Sequence, residues 1–166
     1  MAKHTIAILV ENRPGVLTRV SGLFSRRGFN IESLAVGTTE DPSVSRMTIS
    51  VEGDDQTLEQ ITKQLYKLID TIKVYDLSGS AAVDRELVLI KVHANSETRS
   101  EIIEIVDLFR ARIVDVADDS VIIEISGDFE KVTSIQDMLK KYGIKELVRT
   151  GKIAMQRGLT EHVQRS

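Results

Sequence analysis

The chain contains no cysteine among its 166 residues, and this absence removes several kinds of chemistry at once. Without thiols there are no disulfides, no thiolate metal sites and no cysteine nucleophile, and the composition fits a reducing compartment. Aromatic residues make up only 4% of the chain. Because RNA-binding modules stack bases on aromatic side chains, this scarcity argues against RNA as a partner.

The chain also lacks a surplus of one charge and a long apolar run. Its 25 acidic and 22 basic residues give a formal net charge of -3 and are spread along the whole sequence. There is no basic tail or stripe of the kind that attracts nucleic acid or anionic lipid. No early apolar stretch has the form of a signal peptide, and none is long enough to span a membrane. We therefore expect a cytoplasmic protein with no nucleic-acid or membrane partner.

A turn near the N-terminus is the most informative feature that is present. It runs from Glu11 to Leu17, contains Pro14 and Gly15, and lies between a strand pattern and a helix pattern. Proline suits the opening position of a helix, because its φ is already near the helical value and its missing N–H would be unpaired there. Glycine beside it lets a ligand approach the free N–H groups of the first helical turn, which favour a carboxylate or phosphate. The turn thus predicts a binding site rather than a catalyst.

Hydrophobic periodicity predicts the order βαββαβ in the first half of the chain. Gly28 can end the first helix in the left-handed conformation, after a last turn that is rich in arginine. Asp54 or Asp55 can cap the second helix. The predicted strands are 5–10, 30–38, 46–52 and 72–77, and the first predicted helix is 14–27.

The same order begins again after a break of small residues at 78–82. Thr98 stands at capping-box spacing from Glu101 before the third helix pattern, and Asp128 can cap the fourth. Gly143 closes that helix, and a last strand is predicted over 144–153. We therefore predict an α+β chain of two ferredoxin-like βαββαβ domains. The predicted segments are a first domain at 1–78, a linker at 79–83, a second domain at 84–158 and a polar tail at 159–166.

This order gives each domain a four-stranded antiparallel sheet with both helices on one face. The other face of each sheet stays uncovered. In the first domain we expect Ala35, Met47, Ile49 and Val51 to give this uncovered face apolar character. Pairing with another copy or another domain would cover such a face.

No constellation of side chains points to catalysis. The histidines, His4, His93 and His162, lie far apart in different predicted elements, which favours incidental histidines over a metal site. Paired carboxylates fall at turns or helix starts, where acids satisfy backbone N–H groups. Of these, Asp118 and Asp119 could hold a weak divalent ion. There is no Walker loop and no G-x-S-x-G elbow.

A second turn, at 28–34, completes the predicted site. In a split βαβ unit we expect the start of the first helix and the start of the second strand to share one edge, so that Asn12, Gly15 and Asn30 converge on a small ligand. Two side-chain amides beside free backbone N–H groups can accept and donate at once, which matches the carboxylate and ammonium of an amino acid. The apolar residues that could line the pocket are Leu17, Ile31 and Leu34.

An enzyme of the acylphosphatase type shares this topology and stays open as an alternative. That type binds phosphate at its first strand-to-helix turn and positions water with an asparagine, and Arg13 and Asn30 could take those roles. Its loop is richer in glycine, however, and cradles its arginine, whereas Pro14 here straightens the loop into a helix start.

Three segments, Ile8 to Val20, Leu23 to Leu34 and Asp41 to Ile49, carry a further signal. They resemble the regulatory (small) subunit of acetohydroxyacid synthase, also called acetolactate synthase. The similarity continues through 60–69, 85–91, 109–116 and 149–158, so it covers nearly the whole chain.

The resemblance implies that the N-terminal domain is an ACT domain and that the protein is dimeric and non-catalytic. Its partner would be the large subunit, which carries thiamine diphosphate, magnesium and FAD and condenses pyruvate with pyruvate or 2-oxobutyrate. No cofactor or metal is expected on this chain. In the family the small subunit raises the activity of the large subunit and confers feedback inhibition by valine or another branched-chain amino acid.

Carried over by motif, the resemblance places the effector site between two ACT domains of a homodimer. The site residues that it implies are Asn12, Gly15, Val16, Leu17, Asn30 and Ile31. A free-standing ACT-type sensor, which would bind the amino acid but no synthase subunit, is the other alternative left open.

Overall fold

The computed structural model describes residues 2–79 and 81–158, which divide into two compact units. Among the described residues, one unit contains those up to Val83 together with 152–158, and the other is Asp84–Gly151. The predicted tail at 159–166, with His162, lies outside the described residues. No helix within the described residues is long and apolar enough to cross a membrane.

The first unit has the predicted order βαββαβ. Its strands form one antiparallel sheet in the order β2-β3-β1-β4. Two predicted helix boundaries are confirmed, since Asp54 caps α2 by accepting the N–H of Gln56 at 2.7 Å and Gly28 follows α1 with φ 82°. The elements are β1 (Ala2–Glu11), α1 (Val16–Arg26), β2 (Asn30–Thr38), β3 (Val44–Gly53), α2 (Asp55–Lys67) and β4 (Thr71–Asp76).

The second unit repeats this order, with a sheet arranged β6-β7-β5-β8. Asp128 caps α4 by accepting the N–H of Lys131 at 2.9 Å, and Gly143 closes the following 3₁₀ turn with φ 97°. The predicted fold, an α+β chain of two ferredoxin-like domains, is confirmed. The elements are β5 (Ala82–His93), α3 (Arg99–Leu108), β6 (Arg112–Val116), β7 (Ser120–Gly127), α4 (Phe129–Leu139) and β8 (Ile144–Arg149).

The C-terminal strand differs from the prediction. The expected single strand over 144–153 is split, because Gly151 turns the chain with φ 83° between β8 and a separate strand, β9 (Ile153–Gln156). β9 pairs with β5, the strand on which the chain leaves the first unit. Residues 152–158 therefore group with the first unit, whereas the sequence assigned 84–158 to the second. The predicted linker 79–83 ends inside β5, which begins at Ala82.

The open face of the first sheet is partly covered by this returning segment. Ala154 of β9 is buried with Ala7 and Leu77 in a small apolar cluster. The Arg46 guanidinium, on the same sheet, donates to the carbonyl of Ala154 at 2.8 Å. Thr48, which pairs with Ala7, is only 2% exposed.

The apolar residues of β3 face the helices rather than the open face. Met47, Ile49 and Val51 are buried in the core that the sheet forms with α1 and α2, so our expectation that they give the uncovered face its apolar character is wrong. The register explains their position, since Met47 pairs with Ile8 and Ile49 with Ile6 on β1, and residues paired across strands share a face.

The two edges of the first sheet are treated differently. On β4, the Tyr66 hydroxyl accepts the N–H of Val74 at 3.0 Å and donates to the carbonyl of the same residue at 3.3 Å. These are groups with which a further strand would pair. β2 is the strand at the other edge. Within the described residues, no side chain hydrogen-bonds to a backbone group of β2. The β2 edge is therefore the one left open to another strand.

We expect Tyr66→Phe to open the β4 edge. The variant keeps the ring but releases both backbone groups of Val74, and unpaired groups on an edge strand are a template for association. Sedimentation velocity over a concentration series should show larger species than the wild type. Tyr142→Phe is the matched control, because it removes a hydroxyl that contacts the Glu101 carboxylate rather than a strand. Identical sedimentation of Tyr66→Phe and wild type would contradict this role of the hydroxyl.

Candidate functional site

The connection from β1 to α1 is a type II turn followed directly by the helix. Gly15 has φ 84° and ψ -10°, the values of the third turn position, and Pro14 occupies the second. The N–H of Val16 and the carbonyl of Arg13 are 3.5 Å apart across the turn. We predicted Pro14 at the opening position of the helix, and this is wrong, because Pro14 lies before Gly15, the N-cap residue. A proline followed by glycine selects this turn, because glycine takes positive φ without steric cost.

No side chain caps the N-terminus of α1. Gly15 is the N-cap residue, and the helical ladder begins with the N–H of Arg19, which donates to the carbonyl of Gly15 at 3.1 Å. Within the part of the chain that the structure describes, no group accepts from the N–H of Leu17 or Thr18. These donors stand at the positive end of the helix dipole, where an anionic group is stabilised.

The corresponding turn of the second unit is closed by its own side chains. The Asn95 Oδ1 accepts the N–H groups of Glu97 at 2.8 Å and Thr98 at 3.0 Å. The Arg99 guanidinium lies across the same end of α3 and donates to the carbonyls of 117 and 118. Thr98, the N-cap residue of α3, makes no side-chain cap, so the predicted capping box does not form. Asn95 instead holds the turn 95–98 that precedes the helix. Within the described residues, the first-turn N–H groups of Ser100 and Glu101 also have no acceptor. The two helix starts therefore differ in how the preceding turn is held, by the Asn95 side chain before α3 and by the conformation of Gly15 before α1.

Asn12 is held in place by the turn between β2 and β3. Its backbone N–H donates to the carbonyl of Ser43 at 2.8 Å, and its Nδ2 donates to the carbonyl of Pro42 at 3.1 Å. The Asp41 carboxylate fixes this turn by accepting from the hydroxyl and N–H of Ser43, and these bonds lower the pKa of Asp41. No described group donates to the Asn12 Oδ1, which is the atom that could accept from an ammonium group.

Asn30 lies at the opposite end of the sheet from Asn12. In the strand register Asn30 pairs with Glu52, whereas Glu11, directly before Asn12, pairs with Val44. From 44 to 52 is eight residues along β3, a separation of roughly 26 Å at about 3.3 Å per residue.

The prediction that Asn12, Gly15 and Asn30 converge within one unit is therefore wrong. The helix α1 runs back along the sheet before β2 starts, so the start of the helix and the start of β2 lie at opposite ends. One chain carries two halves of the predicted site, one at each end of its sheet.

The start of β2 is anchored by Phe29. Its buried ring makes edge-on contacts with Phe24, at 6.1 Å between centroids, and with His4, at 6.4 Å. A Cβ on Gly53 would collide with this ring, so position 53 requires glycine for space. His4 is buried and its Nε2 lies 3.2 Å from the carbonyl of Gly53 and 3.1 Å from the carboxylate of Asp55. It thus has a structural role beside Asn30.

The other predicted site residues differ in exposure. Val16 is buried in the core, and Ile31 packs against it, so each offers the site its backbone and only part of its side chain. Leu17 is 43% exposed next to the free N–H groups. Two further residues near Gly15, Arg19 and Asp70, were not predicted from the sequence. They form an ion pair between positions 51 apart in the chain, and no local sequence pattern indicates a contact over that separation.

No metal site is found in residues 2–79 and 81–158, since no group of three or more His, Asp or Glu is placed to hold an ion. Asp119, for which we considered a weak divalent site, lies 3.1 Å from the Lys145 ammonium. That ion pair lowers the pKa of Asp119 and already balances its charge.

Both halves of the chain match family models. A model described as an AHAS small subunit-like ACT domain matches residues 6–73, and one described as the small subunit of acetolactate synthase matches residues 85–158. The chain belongs to the acetolactate synthase small-subunit family. The resemblance that the sequence predicted is confirmed, including the ACT domain at the N-terminus.

Relatives support the same family over nearly the full length. A probable acetolactate synthase small subunit of Archaeoglobus fulgidus is 65% identical over 156 residues, which cover 94% of this chain and 98% of the relative. The acetolactate synthase small subunit of Mycolicibacterium smegmatis is 54% identical over 155 residues, which cover 93% of this chain and 91% of the relative.

A solved structure agrees with the fold. The crystal structure of the acetolactate synthase small subunit from Thermotoga maritima is 44% identical in sequence and matches with a TM-score of 0.86, over 95% of this chain and 98% of that one. The ACT domain implies a regulatory role for this small-subunit chain, and membership of the family implies a large-subunit partner.

We expect Gly53→Ala to destabilise this small subunit by about 1 to 3 kcal/mol, because the added methyl overpacks against Phe29. Gly37→Ala is the matched control on the neighbouring strand, since its Cβ would meet nothing within 4 Å and its φ is not positive. Urea denaturation followed by circular dichroism measures both. A Gly53→Ala midpoint equal to that of Gly37→Ala would contradict the proposed contact.

Proposed function

We propose that this small subunit raises the activity of the acetolactate synthase large subunit and confers feedback inhibition by valine or another branched-chain amino acid. The observation that supports the effector site is the uncapped start of α1, where the N–H groups of Leu17 and Thr18 have no acceptor within the described residues. An amino-acid carboxylate suits these donors. The thiamine diphosphate, magnesium and FAD chemistry would belong to the large subunit, and the cytoplasmic location stays a prediction.

The effector site that we propose is completed by a second copy of the chain. β2 is the open edge of the sheet, and two β2 strands that pair antiparallel about a twofold axis place the start of one beside the end of the other. Thr38, at the end of β2, pairs with Ser45, one residue from the partner of Glu11. Asn30 of one copy would therefore approach the end of the sheet where Asn12 and Gly15 of the other copy lie.

The chemistry of the two halves is complementary to an amino acid. The free N–H groups of α1 would bind the carboxylate, and the carbonyl oxygen of the Asn12 side chain would accept from the ammonium. Asn30 of the partner would contribute an amide that both donates and accepts. Leu17, which is exposed beside the donors, would contact the branched side chain of the effector.

Inhibition follows if the effector prefers one arrangement of the dimer. Valine must bind more tightly to the state that activates the large subunit less, by a coupling free energy of about 1 to 3 kcal/mol in typical allosteric systems. A site built across two copies meets this condition, because a change in the pairing of the copies changes both halves of the site together.

We expect Asn30→Ala to abolish valine inhibition of the reconstituted holoenzyme while activation of the large subunit is retained. Asn30 is exposed at the start of β2 and packs into neither core cluster, so its loss removes a ligand contact without disturbing the fold. Synthase activity is measured with and without valine. Retained inhibition would contradict the assignment of Asn30.

Gly15→Asp should have the same effect from the other half of the site. The substitution puts a side chain at φ 84° and a negative charge beside the place proposed for the carboxylate of the effector. Gly79→Asp is the matched control, because it also adds a carboxylate at positive φ, with open space around its Cβ. Inhibition that is lost equally in both variants would point to strain or charge in general and against the site.

Titration calorimetry with valine, leucine and isoleucine identifies the effector, and a pull-down from the source cell tests the partner. We expect heat from at least one of the three amino acids and capture of the synthase large subunit. An amino acid that binds without capture of the large subunit would favour the free-standing sensor.

A further inference from the structure

An ion pair between a half-exposed arginine and a buried aspartate lies behind the turn that begins α1. Asp70 directly precedes β4, and its side chain is 4% exposed. The Arg19 Nη2 lies 2.6 Å from the Asp70 Oδ2. The backbone carbonyl of Asp70 also accepts the N–H of Glu11, the last residue of β1, at 2.8 Å. Asp70 therefore connects the end of β1 with the first turns of α1.

Arg19 in turn contacts Gly15 in two ways. Its backbone N–H donates to the carbonyl of Gly15 at 3.1 Å. Its guanidinium Nη1 lies 3.1 Å from the place that a Cβ on Gly15 would occupy, so the side chain packs against the α-carbon of the glycine. Arg19 thus joins Gly15, at the turn, to Asp70, at the start of β4.

This arrangement stabilises the helix start without using its donors. A serine, threonine or aspartate at the N-cap would accept from the N–H of the second or third helical residue and so occupy the groups that a ligand needs. Asp54 and Asp128 each accept such an N–H group at the starts of α2 and α4. At α1 the ion pair acts from the β4 side of the turn, and the N–H groups of Leu17 and Thr18 stay available.

We propose that Arg19 and Asp70 are a positioning pair for the effector site. The pair keeps the turn 13–16 in the shape that presents the first-turn N–H groups to a carboxylate, and neither residue touches the effector. This inference rests on the proposed function, since it explains how that site keeps its shape before the ligand binds.

Because of the charges near the pair, removing Arg19 and removing Asp70 should change the electrostatics of the site in different ways. Arg13 and Lys67 line a cleft of about 720 Å³ in which Asp70 is the acidic residue. Removing Arg19 leaves the buried carboxylate of Asp70 without its partner, close to where the carboxylate of the effector would bind. Removing Asp70 frees Arg19 but leaves the surroundings positive.

Valine affinity of the dimer, measured by titration calorimetry, separates positioning from charge. We expect Arg19→Met and Asp70→Asn each to raise the Kd about tenfold, in line with the loss of one charge-assisted hydrogen bond. The double variant removes the unpaired charge and should remain as weak as Asp70→Asn. Arg26→Met, in the last turn of the same helix, should bind like the wild type. Wild-type affinity in the double variant would overturn the positioning role, as would unchanged affinity in both single variants.

A second measurement needs no ligand. The pair should slow amide hydrogen exchange at residue 19, whose N–H closes the first helical hydrogen bond, and Asp70→Asn should speed that exchange. The N–H of Leu58, which makes the corresponding bond to Asp54 at the start of α2, is the internal control. Equal acceleration at both amides would show a general loss of stability and overturn the proposal. If no amino acid binds the wild type, the proposed function fails, and the exchange data still decide whether the pair holds the turn.

Discussion

The pairing of β3 with both β1 and β2 is the constraint on which the first unit depends. Met47, Ile49 and Val51 must face the helices, and a slip of one residue in either register would turn them to the opposite face. The same register puts Asn12 and Asn30 at opposite ends of the sheet. A single chain therefore presents two half-sites, and a ligand that needs both asparagines also needs a second copy of the chain.

The two units hold the turn before their first helix in different ways. In the second unit, the Asn95 side chain holds the turn that precedes α3, and Arg99 ties the start of that helix to a neighbouring turn. In the first unit, Gly15 leaves the start of α1 without a side-chain cap. A helix with a glycine N-cap is less stable than one with a side-chain cap by roughly a few tenths of a kcal/mol. The ion pair of Arg19 and Asp70 offsets this from behind the turn, and the donors remain free on the other side.

Most of the elements could be predicted because their signals are local. Periodicity and capping residues sufficed for β2, for the cap at Asp54 and for the cap at Asp128. The site was harder, because Pro14 fits both a helix start and the second position of a type II turn, and only the φ of Gly15 distinguishes them. The ion pair behind the turn and the return of β9 to the first unit depend on contacts between distant residues, and periodicity carries no information about those.

Assembly and effector binding are linked in the proposed dimer because both use β2. Tyr66 occupies backbone groups on the β4 edge, so a second copy is directed to the edge that carries Asn30. Binding free energies are reciprocal. An effector that contacts both copies must therefore strengthen their pairing by the same factor by which the pairing strengthens its own binding. The arrangement of the two copies is then the quantity that the effector controls, and the large subunit would respond to that arrangement rather than to the ligand itself.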